Sequence, residues 1–143
     1  MKNTTMNKLI ALTLLFIGLS GYVVAEDDEM VAAPVVTKYY DLKPAFVANF
    51  GESGSKKLKF VKADVSVRTS SDDAIGEVMN HDALVRHQIV MLLSRQTEDV
   101  ISSSSGQEAV RIEALETVQR VLKEETGSVQ IDDLLFTSFI VQR

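Results

Sequence analysis

Two histidines are the side chains of this chain best suited to acid–base chemistry or metal binding near neutral pH. His81 and His87 lie six residues apart in a stretch with helical periodicity. That spacing puts them on opposed sides of a helix, so they cannot share a metal ion. No Asp or Glu stands four residues after His81 to act as a further ligand. We interpret both histidines as surface residues, His81 near a helix start and His87 on an exposed face.

Acidic and hydroxyl side chains also fall short of a catalytic pattern. Asp132 and Asp133 adjoin on a predicted strand and would point to opposite faces, which disfavours paired acid–base catalysis and favours a solvated strand start. The run Ser102–Ser105 lacks the Gly-x-Ser-x-Gly surroundings of a nucleophile, and no phosphate loop is present. We therefore expect no catalytic residue, no metal site, no cofactor and no enzymatic activity.

A group of lysines is the strongest candidate for a binding feature. We interpret these charges as guards of an exposed edge strand, and the alternative is a contact surface for an acidic partner. The lysines stand near the start of a predicted strand: Lys56, Lys57, Lys59 and Lys62.

Extended segments are predicted on both sides of a turn of small and polar residues at 51–55. Before the turn, Tyr39–Leu42 and Phe46–Phe50 make two short extended pieces around Pro44. Proline cannot donate a ladder hydrogen bond, so Pro44 is expected at an edge or a bend. After the turn, alternation predicts a strand with one buried face, formed by Val61, Ala63, Val65 and Val67.

The apolar period changes to about 3.6 after Asp73, which predicts helices. An opening turn leads to Asn80, which is expected to cap a longer helix. Asp82 would lie near the positive end of this helix, and the helix is predicted to end in Ser102–Ser105. Arg86 stands four residues after Asp82, and a surface pair of that kind contributes about 0.3–0.5 kcal/mol. One buried stripe is predicted along this helix: Val85, Ile89, Leu92, Leu93 and Val100.

A second helix is predicted from a capping box. Ser105 with Glu108 three residues later places the start near Gly106, and Gly127 ends the helix as a left-handed cap. Its buried face is expected to contain Val110, Ala114, Val118, Val121 and Leu122.

The last predicted strand runs from Val129 to the C-terminus and is apolar on both faces for much of its length. Such a strand is expected in the middle of a sheet. Residues 38–143 are therefore predicted to form one α+β domain in the order strands, two helices, strand.

Residues 1–25 have the pattern of an export signal. Lys2 and Lys8 precede an apolar run, small residues stand at Val23 and Ala25, and acids follow from Glu26. Cleavage after Ala25 is predicted, and the alternative is an uncut membrane anchor of about 17 residues, the lower limit for a span. In a bacterium, either outcome places the remainder outside the inner membrane. Residues 26–37 are expected to form a flexible linker.

Composition excludes several further classes of function. The chain has no cysteine, so lipid acylation, disulfides and thiol catalysis are excluded. Its 20 acidic residues outnumber 15 basic ones, for a formal net charge of −5. This balance argues against nucleic acid and anionic lipid as partners.

Five segments spaced along the chain carry motifs in a fixed order. The motifs are an aromatic and a leucine before Pro-x-Phe-Val-x-Asn, a lysine-rich strand, an arginine before an apolar run ending in Leu-Leu-Ser, a glycine-led helix and a closing strand. These segments are Tyr40–Phe50, Lys57–Val67, Arg86–Ser94, Gly106–Leu115 and Leu134–Gln142. In this order they resemble those of the flagellar basal-body-associated FliL family, and the resemblance covers roughly residues 39–142.

The resemblance implies a periplasmic domain with a stomatin-type (SPFH-like) fold. Family members surround the flagellar stator and support torque, motility and swarming through protein contacts, so it also implies stator and basal-body proteins as partners. Copies would form a homo-oligomeric ring or assemble with anchored relatives. The alternative function is a periplasmic binding or scaffold module outside the motor.

One departure from the family pattern affects how the protein would be held at the membrane. Family members typically have a basic cytoplasmic tail and an uncut membrane helix, whereas eight residues precede the apolar run here, which ends in a peptidase-like site. Cleavage would remove the membrane tether.

Overall fold

The computed structural model describes residues 36–51, 58–128 and 131–143. Its elements are β1 Lys38–Asn49, β2 Phe60–Thr69, α1 Asp72–Asn80, α2 Asp82–Ser94, α3 Glu98–Ile101, α4 Ser104–Thr126 and β3 Asp133–Gln142. The predicted α+β class is confirmed, but four helices stand where the sequence predicted two long ones and an opening turn. The predicted signal or anchor at 1–25, and all of the linker before Val36, lie outside the described residues.

In the three described ranges, no helix combines the length and the apolar character that crossing a membrane requires.

The three strands form one antiparallel sheet in the order β1-β2-β3. β2 is the central strand, and the prediction for its buried face is confirmed because Val61, Ala63, Val65 and Val67 are all buried. The prediction that the last strand lies in the middle of the sheet is wrong, since β3 is an edge strand of the described sheet. Its second apolar side is uncovered surface rather than a second core face: Leu134 is buried, whereas Ile140 is 53% exposed.

β1 is one edge strand rather than two separate pieces. Its pairing with β2 shifts register between Leu42 and Phe46, and Pro44 lies within that irregular segment, where the Lys43–Pro44 peptide is cis. The prediction that Pro44 lies at an edge or a bend is confirmed. Proline has no backbone N–H to donate, and at a bulge no ladder hydrogen bond requires one.

The long helix predicted from Asn80 to Ser102 is divided in the structure. Asn80 ends α1, and His81 rather than Asn80 is the N-cap residue of α2. α2 ends at Ser94, where the side chains of Ser94 and Gln96 bond the carbonyls of Val90 and Leu92 at 2.8 and 3.0 Å. The predicted stripe is buried at its first four positions, Val85, Ile89, Leu92 and Leu93, while Val100 lies half-buried on α3.

α4 begins two residues earlier than the capping-box prediction. Ser103 is its N-cap residue and accepts a hydrogen bond from the Gly106 N–H at 3.1 Å. The predicted cap at Gly127 is confirmed, with φ of 77° and an N–H bond to the Lys123 carbonyl. The predicted buried face is confirmed at every position: Val110, Ala114, Val118, Val121 and Leu122. This face and the stripe of α2 pack on one side of the sheet to form the core.

Candidate functional site

The two histidines lie apart from each other on the α1–α2 segment. The Nδ1 atom of His81 is 2.9 Å from the backbone oxygen of Glu77 and 3.5 Å from its carboxylate, so the ring is held at the break between α1 and α2. His87 is exposed on α2, as predicted. Within the described ranges, no group of three or more His, Cys, Asp or Glu side chains is placed to hold a metal ion. Ser102 follows the last residue of α3, and Ser103 caps α4, so that serine run has a structural place.

Asp133 does not have the solvated position predicted for it. Its side chain is only 21% exposed and binds Arg111 of α4, and Arg68 of β2 approaches its other oxygen at 3.6 Å. Asp132 beside it is exposed. The sequence could not show this contact because Asp133 and Arg111 are 22 residues apart and meet only when α4 packs beside β3.

Arg111 fastens α4 to the beginning of β3. Its guanidinium donates to both carboxylate oxygens of Glu108, to Asp133 and, at 2.9 Å, to the backbone oxygen of Leu134. The hydrogen bonds to Glu108 and the charge of Asp133 raise the pKa of Arg111 above its usual value. The same bonds lower the pKa of Glu108 below its usual value. Arg111 and Glu108 therefore form a charged pair at neutral pH, and the role of the arginine is to position α4 against β3.

Arg86 fastens α2 to the opposite edge strand. Its Nη2 donates to the backbone oxygen of Pro44, and its guanidinium carbon lies 4.4 Å from the centre of the Phe46 ring. The predicted ion pair with Asp82 is present at 3.8 Å. The side chain is only 20% exposed, and its Nη1 is buried with no hydrogen-bond partner among the described residues. Sequence reasoning missed the β1 contacts because they span about 40 residues.

Two of the four lysines, Lys59 and Lys62, have places in the structure other than an edge. Lys59 binds Glu98 of α3, and Lys62 lies on the central strand, so the edge-guard interpretation is wrong for these two. Lys56 and Lys57 lie outside the described residues. The hydrogen bond from Lys59 lowers the pKa of Glu98, with a smaller contribution from the nearby Arg143.

The outer face of the sheet carries an exposed apolar row. Lys62 is paired with Val47 on one side and with Ile140 on the other, and all three side chains are exposed. An apolar side chain on each flank of a cation is suited to contact with another protein rather than to a reaction.

A groove follows the free edge of β3, and we call it the edge groove. Its volume is about 260 Å³, and it is lined by Ser104, Gln107, Glu108 and Arg111 of α4 and by Leu135, Phe136 and Phe139 of β3. Leu135 and Phe136 are consecutive strand residues whose side chains point to opposite faces of the sheet. A groove lined by both must therefore run over the strand edge, where no further described strand pairs with the backbone of β3.

A larger cavity, of about 500 Å³, lies between α1 and the end of α4. The described residues that line it include the carboxylates of Asp72, Asp73 and Glu77 beside Leu122 and Ile131. Asp72 binds Lys38, and Glu77 lies beside His81. The carboxylates of Asp72 and Glu77 thus have local partners, which fits a structural use.

Sequence similarity to known proteins extends over nearly all of the described domain. Residues 39–142 match the family model described as "Flagellar basal body-associated protein FliL". The chain belongs to the FliL family. The match begins at the second residue of β1 and ends at the last residue of β3, so it spans every described element. FliL is a family of flagellar accessory proteins and is not a known enzyme family.

A curated relative agrees with the family assignment. The chain is similar to "Flagellar protein FliL" of Aquifex aeolicus (strain VF5), with 26% identity over 112 residues. The aligned region covers 78% of this chain and 66% of the relative. This chain therefore spans slightly less than two thirds of the relative's length.

Proposed function

We propose that this protein is a non-catalytic component of the flagellar basal body that supports the motor stator through protein–protein contacts. Its activity would appear as motility, including swarming and chemotaxis. The observation that carries this proposal is the family match from residue 39 to residue 142. Two apolar surface features, the row at Val47 and Ile140 and the edge groove, are suited to contacts between proteins.

The proposed location is the periplasm, at the inner membrane beside the basal body. Residues 1–25 would be a signal peptide cleaved after Ala25, with a retained anchor as the alternative. Residues 26–37 would be a linker that sets the height of the domain, residues 38–143, above the membrane. The fold of that domain would be of the stomatin type.

The proposed mechanism is mechanical. Copies would pack side by side as a ring or assemble with anchored relatives, and this layer would brace the stator against load. An assembly of many copies suits this mechanical role, because each added copy brings further contacts and no catalytic residue is needed.

A deletion strain tests the motor role. We expect its swimming speed to fall below that of the wild type as medium viscosity rises, and its swarm diameter to shrink. The full-length gene supplied in trans should restore both, whereas a copy truncated before β3 should not, because the sheet would lose a strand that covers the core. Wild-type swimming and swarming at every viscosity would contradict the proposal.

Fractionation of the tagged chain from its own host tests the proposed location. An intact mass beginning at Glu26 in the periplasm would establish cleavage, and a full-length mass in the inner membrane would establish the anchor. The chain should sediment with purified basal bodies in either case. A monomer that never sediments with them would favour the alternative function, a binding or scaffold module outside the motor.

A further inference from the structure

We propose that the edge groove of one copy binds the residues that precede β1 in a second copy. These residues, 31–36, are called the N-terminal arm. The arm would add as an extended strand along β3 of its neighbour. The inference rests on the proposed function for its setting, in which copies pack side by side.

The edge groove has what strand addition requires. Leu135–Gln142 contains no charged residue and no proline, and its outer edge meets no further strand among the described residues. The ring centroids of Phe136 and Phe139 lie 5.0 Å apart, and both rings line the groove with Leu135, so its β3 wall is apolar. Extended segments that join such an edge gain backbone hydrogen bonds from the strand and side-chain contacts from the groove.

The N-terminal arm has matching chemistry. It reads Val31-Ala32-Ala33-Pro34-Val35-Val36, without charge and with three β-branched residues. Val36 is 62% exposed although it is apolar, so the described domain does not cover it. Once added, the arm would itself become the edge strand, a position that tolerates Pro34.

The geometry of the sheet favours a second copy over the arm's own domain. Lys38 begins β1 at the edge opposite β3, and both strands begin at the same end of the sheet. From β1 to a position beyond β3 is three strand spacings, or about 14 Å. The arm can extend only about 20 Å in all, so crossing its own sheet would use most of it. If the arm crossed its own sheet, the residues that then lay in the groove would be the acidic ones before Met30, not the apolar arm.

This contact is head-to-tail, since the arm of one copy and the edge groove of the next are different surfaces. Contacts of this type close into rings when the rotation between copies allows it, and otherwise extend as chains. The β1 side of each copy would thus lie next to the β3 side of its neighbour.

Cysteine cross-linking in the full chain tests the contact, and the chain offers a clean background because it has no cysteine. The test chain carries Ala33→Cys in the arm and Ser104→Cys in the wall of the edge groove. We expect mild oxidation in its host to give a ladder of covalent oligomers. The matched control pairs Ala33→Cys with Met91→Cys, an exposed residue of α2, and should give no ladder.

Two other results would overturn the proposal. A cross-linked monomer would show that the arm occupies the groove of its own domain, and the absence of both products would show that the arm does not bind there. Adding Val35→Asp should lower the yield of the ladder about tenfold, because the charge opposes burial against the apolar β3 wall of the groove. Its melting temperature should not change, since Val35 precedes the folded elements.

These outcomes are independent of the motor role. A ladder with normal motility in the deletion strain would retain the arm contact and reject the proposed function. No ladder with impaired motility would do the reverse.

Discussion

The two edges of the sheet are protected to different degrees. β1 is interrupted by Pro44 and a register shift, and it carries Lys38, Asp41 and Lys43 along its length. From α2, Arg86 donates a hydrogen bond to the backbone carbonyl of Pro44. Proline, bulges and charges are the features that prevent an edge strand from pairing with another chain.

The edge at β3 is less protected than the edge at β1. Arg111 donates to the Leu134 carbonyl, and beyond that point the strand has no charged residue and no proline, although its pairing with β2 shifts register between Phe136 and Ser138. The contrast teaches that, within the part of the chain that the structure describes, one edge of the sheet is more strongly protected than the other. The proposed head-to-tail contact uses that asymmetry.

The largest effect is expected at Gly106, which lets α4 begin close against α3 and so form the wall of the edge groove. A Cβ at this position would stand 1.9 Å from the Val100 backbone oxygen. Gly106→Ala should therefore cost about 3 kcal/mol of unfolding free energy, because backbone must move. Urea unfolding followed by circular dichroism measures the change.

The matched control is Gly76→Ala in α1, where a Cβ would meet nothing within 4 Å. It should stabilise the protein by about 0.5–1 kcal/mol, because alanine favours helix. Equal effects of the two substitutions would refute the close contact at Gly106.

Next in size is loss of the arginine at the β3 edge. Arg111→Met should lower the free energy of unfolding by about 2 kcal/mol. This is less than the roughly 3–5 kcal/mol expected for breaking a fully buried ion pair, because Asp133 remains close to Arg68 and partly exposed to solvent. Arg120→Met on the same helix removes only the exposed pair with Glu124 and should cost under about 0.5 kcal/mol. A comparable loss in both would mean that Arg111 does not anchor β3.

A smaller loss is expected at the β1 edge. Arg86→Met removes the bond to Pro44 and the cation–π contact with Phe46, but it keeps apolar packing and removes the unpartnered Nη1 group. The net cost should be about 1 kcal/mol by thermal or urea unfolding. Arg95→Met, which breaks only an exposed pair with Glu113, is the control. A loss at Arg86 larger than that at Arg111 would reverse the order of the two anchors.

The smallest effect is the pH dependence of the helices that flank β3. Lys59 lowers the pKa of Glu98, and Arg111 lowers the pKa of Glu108, both from an ordinary value of 4.5. A lowered folded-state pKa contributes stability that is present above pH 4.5 and lost as the pH falls through the folded-state value. The Glu98→Gln, Glu108→Gln double variant should thus lose less stability than the wild type between pH 6 and pH 3. An unchanged pH dependence would contradict these assignments.

Prediction from the sequence succeeded where a pattern is local. Alternation identified the buried face of β2, and helical spacing identified the buried faces of α2 and α4, because side-chain direction follows directly from backbone period. The cap at Gly127 was equally predictable, since a left-handed residue favours glycine. The error at Ser105 was one of register, since four consecutive serines offer more than one capping residue.

Contacts between distant segments could not be read from the sequence. The pairs Arg86 with Pro44, Arg111 with Asp133 and Lys59 with Glu98 join residues 22 to 42 positions apart. No local pattern marks such partners, so the sequence predicts a solvated Asp133 and a Lys59 that guards an edge. The edge groove was missed for the same reason, because its two walls come from α4 and β3.

The sequence by itself determined the α+β class, the buried faces and the family, because each depends on residue types at short or ordered spacing. Only the tertiary structure decided which strand lies in the centre. β3 was predicted there because it is apolar on both faces, yet the helices cover one side of the sheet and β2 separates the other two strands. Whether an apolar face is core or open surface depends on which elements pack against it, and that is a property of the whole fold.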